Sequence, residues 1–332
     1  MRKLATIRTI KDIQAIPDAD AIEKVQVDGW WCVSKKGEFK VGDKCVYFEI
    51  DSLLPLVEQF RFLASKGTKK MLCDGGEVEG YRLRTIRLRG QISQGLALPL
   101  TSFPNVDESM DDVTELLNVL LYEAPIPACL SGEVHGNFPS FIPKTDEERV
   151  QNLQDVLDTH REKTFTLTEK VDGTSSTFFK YEGNFGVCGR NWQLRETEGN
   201  TYWKMAHKYD LMTLVPEGYA VQGEIIGEGI QKNKLKIKGH ELRVFSVYDI
   251  TNKKYLPNTE LFEFCNKNGL KHVPIIDDNF ALHHSIDELL LMAEGKSKIC
   301  PDAEREGIVF VLNNSEQKVS FKAISNKFLA NE

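Results

Sequence analysis

The chain has 332 residues, of which 41% are hydrophobic and 27% are charged, and its formal net charge is −7. These values describe a soluble globular protein of two domains and argue against a uniformly basic nucleic-acid binder. No run approaches the roughly 18 apolar residues of a membrane span, so a membrane-spanning protein is not expected. Seven cysteines without a CxxC pair indicate reduced thiols in an intracellular protein, and the histidines form no cluster of the zinc type.

The charge is unevenly distributed. Residues 1–100 hold 17 Lys/Arg and 13 Asp/Glu, a net charge of +4, so the remainder carries −11. Residues 101–125 contain six acidic residues and no basic one. We therefore expect a basic N-terminal module followed by an acidic connector.

The first hundred residues predict short strands separated by glycines. Candidate strands are IEKVQVDG, WWCVSKKGEF, VGDKCVYFEI, YRLRTIRLRG and GLALPL, and one helix is expected in LVEQFRFLASKG, closed by Gly67. Strands at this spacing are typical of a small antiparallel β-barrel. Residues 101–143 contain Pro104, Pro125, Pro127, Pro139 and Pro143 and predict a connection between domains.

The second half predicts a mixed α+β domain rich in antiparallel strands. Thr145 and Glu148 have the spacing of a capping box, which predicts a helix from about residue 146. Strands follow to about residue 190, and then a helix near 200–210. Two further strands, helices from Thr259 to before Gly269 and after Ser285, and two final strands complete the expectation.

The segment TLTEKVDGTSSTFF, residues 166–179, alternates like a strand but brings Lys170, Asp172 and Gly173 together. One interpretation is a hairpin edge with an exposed ion pair of little energetic value. The other is a covalent lysine, because a neutral amine attacks phosphorus once nearby cations or a metal lower its pKa. Asp172 is on the same strand face and would hold that metal through water.

This segment resembles motif I of the covalent nucleotidyltransferases, the superfamily of DNA ligases, RNA ligases and mRNA capping enzymes. The segments CGRNWQL, VQGEIIGEG, RVFSVYDI, REGIVF and VSFKAISNKF resemble the later motifs in the expected order, so the resemblance covers roughly residues 165–328. It implies the following roles: Lys170 as nucleophile, Glu169 and Arg190 at the nucleotide, Glu224 at the ribose, Phe245 stacked on the purine, Glu306 as a metal ligand, and Lys322 at the α-phosphate.

Each role has an ordinary alternative. Glu224 would otherwise be a solvated strand residue, Phe245 a core residue, and Lys322 or Arg190 a surface cation. Asp249, four residues beyond Phe245, is a further candidate for a metal-water ligand, and a turn aspartate is the competing interpretation.

The position of the extra domain selects a branch of the superfamily. DNA ligases and capping enzymes carry an OB domain after motif V, whereas this chain ends at Glu332 and has its barrel at the N-terminus. That arrangement resembles the ATP-dependent RNA ligases with an N-terminal OB domain, and GWWCVSKKGEFKVGDKCVYFEIDS, RLRGQISQGLALP and KTDEERVQNL extend the resemblance over most of the chain. We expect an OB-fold domain over residues 1–125 and an ATP-grasp-like adenylyltransferase domain of antiparallel sheets with flanking helices over 126–332.

Two details depart from the family pattern. Ile324 stands where related RNA ligases often have a second motif V lysine, for which Lys327 is a substitute. Without motif VI another group must bind the β- and γ-phosphates, and Lys144 and Arg149 are the candidates, against the alternative of an ordinary charged first helical turn.

Two lysine- or arginine-rich segments are candidates for RNA contact. Arg82, Arg84, Arg87 and Arg89 would need a bulge near Thr85 to share one strand face, and they would track a nucleic-acid backbone together with Trp30 and Trp31. The alternative is a solvated strand with one tryptophan in the core. The segment from Lys232 to Lys238 places a lysine at every second position. It would form a clamp on RNA, or it would be an edge strand protected from pairing by its lysines.

The sequence thus predicts an ATP-dependent RNA ligase that uses Mg²⁺ or Mn²⁺, acts as an intracellular monomer and has no membrane association. Family resemblance implies nicked duplexes, or RNA/DNA hybrids, with RNA on the 3′-OH side. The alternatives are a DNA ligase or GTP-using guanylyltransferase, and a non-catalytic RNA-binding protein with an OB module. A P-loop ATPase based on EGKS is excluded because Leu290 replaces the first glycine.

Overall fold

A computed structural model describes residues 2–73, 76–124 and 131–331. The chain divides into two compact units, Met1–Pro125 with Leu329–Glu332, and Ile126–Phe328. The predicted boundary at residue 125, with Pro125 and Pro127, lies outside the described residues. Within the described ranges, no helix has both the length and the apolar character required to cross a membrane.

The N-terminal unit is built from antiparallel strands. They are β1 Ala5–Ala15, β2 Ile22–Val27, β3 Trp30–Lys35, β4 Lys44–Phe48, β5 Ser52–Leu54, β6 Lys69–Cys73, β7 Gly76–Arg82, β8 Ile86–Leu88, β9 Gln91–Ser93, β10 Leu96–Pro99 and β11 Leu120–Leu121. One sheet has the order β10-β4-β1-β2-β3, a second has the order β11-β5-β7-β6, and β8 and β9 form a hairpin. Trp30, Tyr47 and Phe48 are fully buried in its core, so the predicted all-β module is confirmed.

Two N-terminal details differ from the sequence expectation. The predicted helix is a 3₁₀ helix, Glu58–Lys66, and Gly67 ends it with a φ of 77° and an N–H that donates to the Ala64 carbonyl. A second 3₁₀ helix is Leu100–Ser102. The four arginines do not share a strand face, because β7 ends at Arg82 and β8 belongs to a separate hairpin.

The C-terminal unit contains two antiparallel sheets. Its strands are β12 Val134–Asn137, β13 Thr164–Lys170, β14 Thr174–Tyr181, β15 Asn184–Cys188, β16 Trp192–Leu194, β17 Tyr219–Gly227, β18 His240–Asp249, β19 Lys254–Tyr255, β20 Ile275–Ala281, β21 Gly307–Leu312 and β22 Ser320–Ile324. The larger sheet has the order β12-β16-β15-β14-β17-β18-β19, and the smaller has the order β20-β13-β21-β22. The expected α+β class is confirmed.

A large apolar core packs against one face of each of these sheets. The helices of the unit are α1 Gln154–Thr159, α2 Thr201–Lys208, α3 Leu211–Leu214, α4 Asn258–Lys267 and α5 Ile286–Ala293, with a 3₁₀ helix Val150–Asn152. A last helix, α6 Asn326–Ala330, begins in this unit, which ends at Phe328. Phe178, Val221 and Val244 of the larger sheet pack with residues of α2 and α4. Phe165, Phe310 and Phe321 of the smaller sheet pack with residues of α1 and α5. On its other face the larger sheet carries a smaller apolar cluster that includes Phe179, Ala220 and Tyr248.

Of the two later helix starts, one is confirmed together with its cap and the other without it. The Ser285 and Glu288 capping box is confirmed at the start of α5. The helix near Thr259 exists as α4, but no side chain caps it.

The prediction of a capping box at Thr145 and Glu148 is wrong. Residues 143–149 contain no helix, and the helical chain begins with the 3₁₀ turn at Val150. The Lys322 N–H donates to the Glu148 carbonyl, and a parallel bridge joins Arg149 to Lys322. These tertiary hydrogen bonds hold the segment extended against β22, which outweighs the local capping preference.

The lysine-rich segment also differs from the prediction. Residues 228–239 form turns instead of a strand, and Gln231, Asn233 and Lys236 have positive φ. The Asn233 side chain accepts from the Ile237 N–H and donates to the Ile237 carbonyl, which closes the loop on itself. The alternating lysines therefore belong to a hydrogen-bonded loop and not to an edge strand.

Candidate active site

Lys170 is the last residue of β13. Phe165 and Leu167 of this strand point into the apolar core, so the alternate residues, including Lys170, face the polar side. Its cross-strand partner is Gly307, and its Nζ donates a 2.6 Å hydrogen bond to Glu306 Oε1. Only 27% of the Lys170 side chain and 16% of Glu306 are exposed to solvent.

The charges around Lys170 favour its protonated form. Burial by itself would lower the pKa of Lys170, but Glu306, Glu224 and Asp172 outweigh that effect and the pKa is raised. A protonated amine is not a nucleophile, so a cation is needed to offset the carboxylates before Lys170 can attack.

The chain before Glu306 is fixed by Arg305. The Arg305 guanidinium donates to the carbonyls of Met292, Ala293 and Glu294 at the C-terminal end of α5. These are carbonyls that the helix itself leaves without intrahelical partners. Arg305 thereby ties the start of β21 to α5 and holds Glu306 opposite Lys170.

Gly173 allows the turn after Lys170 to lie against β17. A Cβ at this position would be 2.4 Å from the Ile225 carbonyl oxygen and 2.9 Å from Glu224 Cγ. The glycine of the Lys-x-Asp-Gly motif therefore serves close packing between the Lys170 turn and the strand of Glu224.

Glu224 faces the site from the middle of β17, where its cross-strand neighbours are Ser175 and Arg243. Burial raises the pKa of Glu224 to about 8; Glu306 and Asp172 act in the same direction, and Lys170 and Arg190 oppose them. Burial therefore favours the protonated form of Glu224, which can both donate and accept hydrogen bonds.

Phe245 is the extra residue of a β-bulge. Gln222 pairs with Ser246 while the next residue of β17, Gly223, pairs with Val244, so Phe245 is unpaired. It is half-buried against a small apolar cluster that includes Ile226 and Val273. Phe245 lies two residues beyond Arg243, the partner of Glu224, and so lies on the face that carries Glu224 and Ile226.

Residues 143–149 link the two sheets, and we call this segment the crosspiece. On the larger sheet, the Pro143 carbonyl accepts from Gln222 Nε2, and the Thr145 hydroxyl lies 2.6 Å from that of Ser175. On the smaller sheet, the Lys322 N–H donates to the Glu148 carbonyl. The crosspiece thus ties the strand bearing Lys322 to the sheet bearing Glu224.

The predicted phosphate-binding cations lie along the crosspiece. Lys322 Nζ is 3.1 Å from Asp146 Oδ1, and Arg190 Nη2 is 3.4 Å from Asp146 Oδ2. The pKa of Lys322 is lowered to about 8, mainly by burial; Asp146 opposes this shift, and the positive charges of Lys170 and Arg149 add to it. Lys144 Nζ donates to Asn191 Oδ1, next to Arg190. The structure therefore brings Lys144, Arg149, Arg190 and Lys322 to one region.

Three predicted residues are not brought into this group. Asp249 lies at the far end of β18, where its carboxylate accepts from the backbone and side chain of Asn252. The Glu169 side chain accepts from the Lys298 N–H. Lys327 pairs with Glu304 and is half exposed. The structure gives each of these side chains a local structural partner.

Sequence reasoning missed Asp146, the carboxylate that contacts both Lys322 and Arg190. The segment KTDEERVQNL carries part of the family resemblance, but the capping-box pattern predicts a helix there and gives Asp146 no role in the site. The sequence did contain a signal for a carboxylate with another role. Three consecutive acidic residues lie between Thr145 and Arg149, more than are required to stabilise the N-terminus of a helix.

The residues around Lys170 fit a divalent cation. Glu306 Oε2 is buried and has no hydrogen-bond partner in the described chain, and Glu224 and Asp172 are within electrostatic range of Lys170. No group of three or more His, Cys, Asp or Glu within the described residues forms a ready cage. Mg²⁺ commonly takes one or two carboxylates and completes its shell with water and substrate phosphates.

Comparisons with known proteins identify both parts of the chain. A family model described as an OB-fold domain matches residues 4–100, and one described as RNA ligase matches residues 163–324. A search of curated proteins found no match.

Solved structures of an RNA ligase match the whole chain. A variant of Naegleria gruberi RNA ligase without ligand is 44% identical, covers 100% of this chain and 98% of its own, and has a TM-score of 0.92. A second variant, with ATP and Mn, is 45% identical with 99% coverage of both chains and a TM-score of 0.92. The enzyme with PPi is also 45% identical, with 100% and 99% coverage and a TM-score of 0.92. The OB-fold and ligase resemblances are therefore confirmed, and the chain belongs to the RNA ligase family.

Proposed function

We propose that this chain is an ATP-dependent RNA ligase that joins a 3′-OH end to a 5′-phosphate end through a lysyl-AMP intermediate on Lys170. The observation that carries the proposal is the 2.6 Å contact between Lys170 Nζ and Glu306 Oε1 on two paired strands, beside Glu224. Naegleria gruberi RNA ligase, which shares the fold at 45% identity, has been solved with ATP and Mn and with PPi.

In the first step Lys170 Nζ attacks the α-phosphorus of ATP, pyrophosphate leaves, and a phosphoramide bond to AMP forms. Glu306 Oε1 already accepts a hydrogen bond from Nζ and is the nearest group to receive a proton from it. A bound Mg²⁺ or Mn²⁺ supplies positive charge that offsets the carboxylates and the phosphates. Lys322 and Arg190 hold the phosphates, and Glu224 contacts the ribose.

The later steps use the same geometry. The AMP moves from Lys170 to the 5′-phosphate of the nucleic acid, and the 3′-OH then attacks that phosphate and releases AMP. Both are displacements at phosphorus, in which positioning and charge neutralisation supply most of the rate. Phe245 is held by the bulge on the site face of β18, where we propose that it stacks on the purine.

Not every predicted site residue keeps its role in this proposal. Asp172 and Glu306 remain the candidate metal ligands, and Lys144 and Arg149 the candidate contacts of the β- and γ-phosphates. Asp249, Glu169 and Lys327 are left out because each is engaged by a local partner.

We assign the N-terminal barrel, residues 1–125, to RNA binding and residues 126–332 to adenylyl transfer. Arg84, Arg87 and Arg89 are exposed and suit a nucleic-acid backbone, whereas Arg82 pairs with Asp51. Trp30 is fully buried, so of the tryptophan pair only Trp31, which lies under Lys24, is a candidate contact.

The favoured substrate is a nicked duplex with RNA on the 3′-OH side, because an A-form minor groove displays 2′-OH groups that a protein can recognise. We expect the chain to act as a monomer, which size-exclusion chromatography with light scattering would check. We also expect an intracellular location, in line with the six free cysteines of the described chain.

The direct test is transfer of label from α-labelled ATP to the protein with Mg²⁺ or Mn²⁺. Wild type, Lys170→Ala and the control Lys163→Ala, an exposed lysine just before β13, would be compared after denaturation. We expect label on wild type and on the control only. Absence of label from wild type, after pyrophosphate treatment to remove any AMP already bound, would contradict the proposal and favour a non-catalytic RNA-binding protein.

Two further assays separate the remaining alternatives. Competition by unlabelled GTP would indicate a guanylyltransferase, which we do not expect. Nicked duplexes with either RNA or DNA at the 3′-OH side distinguish an RNA ligase from a DNA ligase, and we expect sealing with RNA.

A further inference from the structure

The Asp146 carboxylate lies between two cations of the proposed phosphate site. One of its oxygens, Oδ1, is 3.1 Å from Lys322 Nζ, and the other, Oδ2, is 3.4 Å from Arg190 Nη2. Two oxygens of one phosphate group, each facing a different cation, would make the same pattern of contacts. Asp146 therefore stands where an anionic ligand of these two residues would bind.

The backbone on both sides of Asp146 is held independently of its side chain. Thr145 contacts Ser175 of β14 through its hydroxyl, and Glu148 accepts from the Lys322 N–H. Glu147 is bound in turn by Lys318 and Ser320. Rotation of the Asp146 side chain alone can therefore vacate the space between Lys322 and Arg190 without moving the crosspiece.

Exposure and charge favour such an exchange. Lys322 is only 12% exposed and depends on a nearby anion for its charge, whereas Asp146 is 52% exposed. An exposed carboxylate returns to water at little cost, and exposed ion pairs contribute on the order of 1 kcal/mol or less. A polyphosphate carries more charge and more acceptor oxygens, so it would compete well for the same cations.

We propose that Asp146 is an internal counter-ion that occupies the phosphate position between Lys322 and Arg190 and is displaced by an incoming polyphosphate. The competition sets the affinity of the site for ATP and for pyrophosphate, because the carboxylate must leave before either can bind. This inference rests on the proposed function, since it treats Lys322 and Arg190 as phosphate ligands.

The experiment measures the binding of sodium pyrophosphate by calorimetry, without divalent metal, so that only the cations of the chain act. Asp146→Asn removes the charge and keeps the shape. Glu147→Gln is the matched control, because it removes the same charge one residue further along the crosspiece, from a carboxylate paired with Lys318. The measurements are made at pH 6.5, below the value of about 8 to which burial lowers the pKa of Lys322.

We expect Asp146→Asn to tighten pyrophosphate binding by about three- to tenfold, from the loss of one competing ion pair. Glu147→Gln should change it by less than about twofold, as expected for a screened charge that does not touch Lys322 or Arg190. In a Lys322→Met background the gain from Asp146→Asn should largely disappear, because the two residues act on the same contact. Asp146→Ala, which keeps no hydrogen-bonding group, should show the same gain as Asp146→Asn.

Several results would overturn the inference. These are unchanged or weaker binding in Asp146→Asn, an equal gain in Glu147→Gln, or no binding of pyrophosphate by wild type and variant alike. Thermal unfolding of each variant identifies any loss of folded protein. Lysyl-AMP formation is assayed separately, so a wild-type protein that takes no label contradicts the proposed function while the pyrophosphate result still decides the role of Asp146.

Discussion

Lys170 and Glu306 are 136 positions apart in the sequence, and in the structure Lys170 Nζ lies 2.6 Å from Glu306 Oε1. The contact follows from the register of β13 and β21, which pairs Lys170 with Gly307. Backbone pairing thus places the amine of Lys170, the nucleophile that we propose, against a carboxylate, and the core beneath the sheet keeps that pairing rigid.

Replacing Glu306 by glutamine should slow the transfer of AMP to Lys170. The amide keeps the shape but loses the charge-assisted hydrogen bond to Nζ, a contact typically worth about 1.5–3 kcal/mol, so the single-turnover rate should fall about 10- to 100-fold. Rapid quenching with α-labelled ATP measures it. Glu304→Gln, which alters a partly buried carboxylate paired with Lys296 and Lys327, is the control and should be near wild type. An unchanged rate in Glu306→Gln would exclude Glu306 from the first step.

Glu224 should make the stability of the protein depend on pH. Burial raises the pKa of Glu224 to about 8, from 4.5 in the unfolded chain, so the folded state binds the proton more tightly than the unfolded state. The stabilisation by this proton is fully present below pH 4.5 and is lost as the pH rises to about 8. Urea unfolding across this range should therefore show wild type losing stability relative to Glu224→Gln. A difference between the two proteins that does not change with pH would contradict the assignment.

Lys322 should give phosphate binding its own pH dependence. Because burial lowers the pKa of Lys322 to about 8, the site loses a positive charge as the pH rises through that value. Affinity for α,β-methylene ATP, which cannot transfer AMP, should then fall by up to about tenfold per pH unit until the pKa of the bound state is reached. This fall in affinity with pH should be absent in Lys322→Met. It should remain in the control Lys318→Met. Identical pH profiles for wild type and Lys322→Met would refute the prediction.

Gly173→Ala should destabilise the protein through a clash at the turn after Lys170. Its Cβ would lie 2.4 Å from the Ile225 carbonyl oxygen, a backbone atom that cannot move cheaply, and the free energy of unfolding should fall by about 1–3 kcal/mol. Gly136→Ala is the matched control, since no heavy atom lies within 4 Å of a Cβ there and its φ is not positive. Chemical denaturation of both variants tests this, and equal stability of the two would show that the turn adapts.

Short-range patterns in the sequence predicted much of the fold. Alternation of apolar and polar residues predicted the strands around Lys170 and Glu224, and the capping box predicted the start of α5. Both succeeded because hydrophobic periodicity and helix capping depend on neighbouring residues only. The ordered motifs identified the residues that meet at the site, although their contacts join strands far apart in the chain. The same local reasoning failed at Thr145 and in the lysine-rich loop, where tertiary hydrogen bonds fix the backbone.

The order of residues specifies the set of chemical groups: a lysine and an aspartate at a strand end, further carboxylates, and cations near the end of the chain. Which of these groups share a low-dielectric space depends on how the strands pair and pack. Asp249 and Glu306 are both carboxylates next to apolar strands, yet one caps a turn and the other holds Lys170. Asp146 shows the converse, since its place between Lys322 and Arg190 depends on a crosspiece held by both sheets. Such positions depend on register and on long-range hydrogen bonds, which no local pattern encodes.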